Sequence, residues 1–218
     1  MATVLLIANP YDIPTKYGYY WMRKLADYAV KAGHEVIFQT TPTVTTLAEA
    51  LNLYNPRLVV INGHGGQKAV AVGNNILIAM KSYDPLLRRK VEYQNPQWFA
   101  GRIVILATCN TGQELAYDLH NYGAEAVLAF KKPFIFLSDD DSRSIGKDTL
   151  AEPFFSSLYQ APIRLINGES FGSAFQAERE AFNHYLNLAE SKGDDLVAKY
   201  MNFDLVNLVG IGNSFAKL

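Results

Sequence analysis

Hydrophobic positions along this chain follow two rhythms. Short apolar runs rich in β-branched and aliphatic residues occur at Val4–Ala8, Glu35–Thr40, Leu58–Asn62, Ile103–Thr108 and Ala126–Phe130. Their length and composition predict buried strands. Between the first three, apolar residues recur at helical spacing. Trp21, Leu25, Tyr28 and Ala29 form one stripe of a helix predicted over 17–31 and ended by Gly33. Leu47, Leu51 and Tyr54 mark a second helix, predicted over 45–53. A strand–helix–strand–helix–strand order predicts a mostly parallel sheet with helices on both faces.

The rhythm breaks after the third run. Lys68–Val72 and Ile76–Ala79 flank Gly73-Asn74-Asn75, which predicts a small hairpin. The stretch from Tyr83 to Ala100, interrupted by Pro85 and Pro96, is long for a connection and is a candidate substrate rim. After the fourth run, Thr111-Gly112-Gln113-Glu114 fits a capping box and predicts a helix from Thr111 to about Tyr122, ended by Gly123. Phe134–Leu137 reads as a further short strand. Helices are predicted over 147–159 and 170–189, and Asp204–Gly210 reads as a last strand. Neither a repeat nor a linker-like stretch divides the sequence, so residues 1–218 are predicted to form a single domain.

Composition narrows the functional classes. A hydrophobic fraction of 49% is ample for a core, and a charged fraction of 19% leaves no stretch that looks disordered. Lys plus Arg number 20 and Asp plus Glu 21, for a net charge of −1. That balance lacks the basic footprint of a nucleic-acid binder, so no nucleic-acid partner is expected. No apolar run approaches the roughly 20 residues that cross a bilayer, so no membrane partner is expected either. The single cysteine excludes an intrachain disulfide and fits a reducing compartment. The N-terminus shows no signal-peptide pattern. A cytoplasmic protein is expected.

The chemistry concentrates at two strand ends. The run 58–62 leads into Gly63-His64-Gly65-Gly66-Gln67, and the run 103–108 leads into Cys109-Asn110-Thr111-Gly112. Open α/β sheets place ligands and reactive groups at such ends. An imidazole and a thiol there form a nucleophile–base pair if the two strands are neighbours. Cys109, placed just before a predicted helix N-terminus and beside an imidazolium, is expected to favour the thiolate. His64 would protonate a leaving amine and then activate water. The backbone N–H groups of Gly65 and Cys109 are candidate donors to an oxyanion. Taken singly, a lone cysteine is most often a small core residue and a histidine in a glycine turn most often structural. Their matched placement, His64 before Cys109 by 45 residues, is what favours the pair.

These blocks make the chain recognisable. Asn62-Gly63-His64-Gly65-Gly66-Gln67 resembles the histidine block of metacaspases, and Ala107-Thr108-Cys109-Asn110-Thr111-Gly112 resembles the cysteine block of gingipain and CHAT domains. Downstream, Gly123-Ala124-Glu125-Ala126-Val127, the helical segments from Phe154 and Gly168, and Leu208-Val209-Gly210 resemble later parts of such domains. The superfamily is that of the caspase-like cysteine peptidases, which includes caspases, metacaspases, clostripain, gingipains, separase and CHAT domains. The resemblance implies a three-layer caspase-like α/β fold. It also implies a Cys–His dyad that hydrolyses peptide bonds, with His64 as base and acid, Cys109 as nucleophile, and Gly65 with Cys109 as oxyanion hole. The implied partner is a protein or peptide substrate. Ala107 stands where several basic-specific relatives carry Asp, and Gly210-Ile211-Gly212 replaces the Gly-Asp-Pro close of gingipains.

Other features are weighed against this reading. Asp139, Asp140 and Asp141 are candidate pocket residues, as are Asp12 and Tyr17 just after the first strand. The acidic run lacks the calcium-loop pattern, the glycine turn lacks the Gly-Lys-Ser/Thr of a phosphate cradle, and His34, His64, His120 and His184 are scattered. No metal and no cofactor are therefore expected. Two competing readings stay open: a caspase-like fold kept as a non-catalytic binding or scaffold module, and a doubly wound protein with another ligand. A glutaminase-type amidotransferase fits poorly, because residues 107 and 111 are Ala and Thr and the histidine precedes the cysteine.

Overall fold

A computed structural model describes residues 1–80, 83–84, 89–90, 95–139 and 144–218. Strand β1 (Thr3–Ile7) is followed by α1 (Ile13–Lys31), β2 (Glu35–Gln39), α2 (Val44–Tyr54) and β3 (Leu58–Asn62). Beyond them come a two-residue strand β4 (His64–Gly65), the hairpin strands β5 (Ala69–Val72) and β6 (Asn75–Ala79), and a short antiparallel pair, β7 (Tyr83–Asp84) and β8 (Arg89–Lys90). The second half contains β9 (Ile103–Ala107), α3 (Leu115–Asn121), β10 (Ala126–Phe130), α4 (Glu152–Leu158), α5 (Gln160–Ile166), α6 (Phe171–Lys192), α7 (Asp195–Asn207) and β11 (Leu208–Gly212).

The main sheet has six strands in the order β11-β10-β9-β3-β1-β2. All neighbours run parallel except β11, which pairs antiparallel with β10 at one edge. Burial on both faces explains why the central strands read as unbroken apolar runs. Val4, Leu6, Leu58, Val60, Ile103, Ile105 and Leu128 point into a core shared with α1 and α4–α7. Leu5, Ile7, Val59, Ile61, Val104, Leu106 and Val127 point to the other face, against α2, α3, the hairpin and Phe99. The result is a three-layer α/β arrangement, as expected.

Several local expectations are corrected. Helix α1 begins at Ile13, not Tyr17, because Asp12 caps it. The Asp12 carboxylate accepts the Thr15 N–H at 3.1 Å, and the Thr15 hydroxyl accepts the Asp12 N–H at 2.9 Å. Helix α3 begins at Leu115, not Thr111. The Thr111 hydroxyl is fully buried and pairs with the Thr108 hydroxyl at 3.0 Å, so it is not available as a cap.

Phe134–Leu137 is not a strand. The sheet edge beside β10 is taken by β11, and the segment instead crosses the end of the sheet. The helix predicted over 147–159 splits. A 3-10 turn spans Ile145–Lys147, Asp148 interrupts, and α4 starts at Glu152 with Pro153 in its first turn. Helix α5 and helix α7 were not foreseen, and residues 204–207 belong to α7, with β11 starting only at Leu208. Residues 85–88 and 91–94 of the predicted substrate rim, and Asp140 with Asp141, lie outside the described residues.

Candidate active site

Strand register brings the two sequence blocks together. In the β3–β9 ladder Asn62 pairs with Ala107, so His64 and Cys109 each lie two residues beyond a matched pair. β1 flanks β3 on the other side, with Ile7 opposite Ile61, and its outgoing loop delivers Asp12. The chain runs from β1 outward to β2 and returns to β3, so the carboxyl ends of β1 and β3 form the switch point where open α/β sheets bind ligands. His64 and Cys109 line one cavity there, together with Pro14, Thr15, Asn62, Gly63, Ala107, Thr108, Phe134, Phe136 and Phe155.

Asp12 holds the imidazole. Its Oδ2 lies 2.6 Å from His64 Nε2, while its Oδ1 caps α1. Burial alone would raise this carboxyl. The hydroxyl and amide of Thr15, and then His64, outweigh that effect and hold it below the usual carboxylate range. Asp12 is therefore charged at neutral pH and ties Nε2, which leaves Nδ1 as the ring nitrogen available for proton transfer. Asp12 was placed near the site by topology as a pocket residue. Its carboxylate bonds the His64 ring and does not line the cavity.

Cys109 departs from expectation. Burial pushes its thiol up, the Phe134 N–H facing the sulfur partly opposes this, and the charge of Asp204 adds to the rise. The late start of α3 removes the helix N-terminus that was expected beside it, and that helix has only seven residues. Among the described residues no hydrogen bond joins the sulfur to His64. The Cys109 sulfur thus rests as a neutral thiol, not a preformed thiolate.

Gly65 lies against the Cys109 backbone. A Cβ at this position would fall 2.2 Å from the Cys109 carbonyl oxygen and 3.0 Å from its amide nitrogen, so only glycine lets the strand ends approach this closely. The cavity wall itself is formed by Gly63 and not by Gly65. Asp139 is exposed and does not line the cavity; its backbone N–H bonds to Asp148. Tyr17 is buried behind the cavity, its ring 5.1 Å from Phe136 and its hydroxyl donating to Asp148 at 2.5 Å.

Two residues central to this architecture escaped the sequence reading. Buried Asp148 accepts from Tyr17, Asp139, Leu150 and Ala151. Buried Asp204 accepts the Ile135 N–H at 3.0 Å, one residue along from the amide that faces the sulfur. Neither carries a local signal, since each meets its partners only across the fold.

With this geometry the comparison with known proteins is informative. The chain superposes on the crystal structure of the Arg specific cysteine proteinase gingipain R with a TM-score of 0.60, over 99% of this chain. The fold is caspase-like. Sequence identity is 11%, and the chain spans about half, 47%, of the length of that protein. No family model matches the chain, and no curated protein matches it in sequence. The caspase-like fold explains the sheet order and the crowding of reactive groups at the ends of β1, β3 and β9. The likeness is one of fold.

Proposed function

We propose that this caspase-like chain is a cysteine endopeptidase acting through Cys109 and His64, with Asp12 orienting the histidine. The supporting observation is that the ends of two adjacent parallel strands bring an imidazole and a thiol to one cavity, with the Asp12 carboxylate, from the loop after the next strand, bonded to the imidazole. His64 Nδ1 takes the thiol proton as Sγ attacks the peptide carbonyl carbon, forming the S–C bond and a tetrahedral oxyanion. The imidazolium so formed is stabilised by Asp12 through Nε2. The backbone N–H groups of Gly65 and Cys109 are the proposed oxyanion donors, supported by their close packing. Collapse of the intermediate breaks the C–N bond as His64 returns its proton to the leaving amine. Water, deprotonated by His64, then hydrolyses the thioester.

Because the thiol is raised by burial, proton transfer accompanies attack and does not precede it. That predicts a strong dependence on His64. Iodoacetamide should alkylate Cys109 several-fold faster in the wild type than in His64→Ala near neutral pH, with Asp12→Asn intermediate. Cleavage of a peptide library should be lost in Cys109→Ala. Equal, slow alkylation in all forms, with no cleavage, would favour the second reading, a non-catalytic caspase-like binding module. One observation favours that reading: the resting sulfur is engaged by the Phe134 amide and not by the imidazole. The arginine specificity of gingipain R is not carried over, since no Asp or Glu among the described residues lines the cavity.

A further inference from the structure

The walls of the cavity beside Cys109 bear on which peptide bonds could be cleaved. Three phenylalanines close one side of it. Phe136 and Phe155 have ring centroids 4.7 Å apart, Phe134 and Phe155 5.7 Å, and Phe134 and Phe136 6.2 Å. Tyr17 and Trp21 stack behind Phe155, at 5.8 and 6.2 Å, so the wall is backed by further rings and cannot simply swing away. Phe155 is itself almost fully buried. The space left is about 60 Å³. For scale, an enclosed apolar cavity of roughly 150 Å³ holds a benzene ring.

The chemistry of the wall points the same way as its size. Apart from His64 and Cys109, no lining residue among those described is ionisable. A guanidinium or ammonium group seated there would be buried without a counter-charge. Asn62 supplies a polar spot. It is 7% exposed, its Nδ2 reaches the Ala107 carbonyl at 3.4 Å, and its Oδ1 is buried without a partner. Its amide is wedged over Gly18 of α1, where a Cβ would fall 2.1–2.2 Å from the amide atoms, so the group cannot rotate away.

We propose that this cavity is the primary specificity pocket and accepts a small uncharged side chain, such as alanine or serine, on the acyl side of the scissile bond. The proposal rests on the peptidase reading above. Phe136 and Phe134 set its size limit.

Four tripeptidyl acyloxymethyl ketones, identical except for Ala, Ser, Phe or Arg next to the reactive carbon, test it by the rate of the Cys109 mass adduct. The Ala and Ser probes should label the wild type at least roughly tenfold faster than the Phe and Arg probes. Trimming the wall in Phe136→Ala should raise labelling by the Phe probe relative to the Ala probe by a similar factor. Phe136→Leu, a milder trim, should shift the ratio in the same direction and guards against misfolding of the first variant. Faster labelling by Arg or Phe in the wild type overturns the assignment, as does failure of both small probes. Alkylation by iodoacetamide, compared with His64→Ala, separates the causes. His64-dependent alkylation with the wrong probe order sinks only the pocket assignment, whereas His64-independent alkylation sinks the peptidase reading and the pocket with it.

Discussion

Asp148 and Asp204 are both buried, and both accept a backbone N–H from the segment that carries Phe134 and Phe136 across the candidate site. Their surroundings differ. Among the described residues Asp148 accepts from the Tyr17 hydroxyl and the amides of Asp139, Leu150 and Ala151, at 2.5 to 3.0 Å. These donors outweigh the burial that would raise its carboxyl, and hold it below the usual range. Asp204 has one such donor on Oδ1, and its Oδ2 is buried without a partner. Burial wins there and pushes the group up to about 8, against the opposing Ile135 amide. The strip thus has a charged anchor at one end and a neutral, more deeply desolvated acid at the other. Depth of burial and the number of donors together decide which.

The largest expected effect breaks the charged anchor. Asp148→Ala strands a buried hydroxyl and three amides and loosens the start of α4, so a loss of at least about 3 kcal/mol is expected in chemical denaturation. Asp148→Asn, which keeps the shape but loses the charge and part of the accepting capacity, should lose less. If Asp148→Ala unfolds at the same denaturant concentration as wild type, the four bonds do not hold the strip.

The next effect concerns the neutral acid. Asp204 has a folded value above its unfolded one, so its contribution to stability is fully present below about pH 4 and is lost as pH rises toward and through about 8. Replacing it with Asn keeps an oxygen for the Ile135 amide and removes the titration. Asp204→Asn should therefore gain stability over wild type by on the order of 2 kcal/mol near pH 8 and show a flatter stability–pH curve. Parallel curves for the two proteins would mean that Asp204 does not titrate as its surroundings imply.

The contrast also explains what was legible beforehand. The two blocks that carry His64 and Cys109 stood out because β3 and β9 are buried on both faces, so their apolar runs end sharply there. Their cross-strand register, Asn62 with Ala107, follows from neighbouring parallel strands and needed no further signal. Asp12 was visible as a residue near the right edge, but its place beside His64 goes with a helix that starts at Ile13, a turn before the predicted start at Tyr17.

The segment after β10 misled in the opposite way. Phe134 and Phe136 alternate like a strand, yet the place beside β10 belongs to β11, some 70 residues later in the chain. Helix α7 was obscure because it buries Asp204 while exposing Leu196 and Val206, which blurs its amphipathic stripe. Long-range placement of single acids leaves no periodic trace, so Asp148 and Asp204 emerge only with the fold.

The smallest effect joins the second aspartate to the nucleophile. The Cys109 thiol is raised first by burial and further by the charge of Asp204, with the Phe134 amide opposing. That charge exists only above the range in which Asp204 holds its proton. At about pH 6, Asp204→Asn and wild type should therefore be alkylated by iodoacetamide at the same rate, because the carboxyl is neutral in one and absent in the other. At about pH 9 the wild type carries the extra negative charge, its thiol is harder to ionise, and the variant should react faster by roughly threefold. The pH dependence is the discriminating feature. A structural disturbance of the 134–137 segment would change the rate at both pH values by a similar factor, whereas an electrostatic link between the neutral acid and the sulfur opens the gap only on the alkaline side.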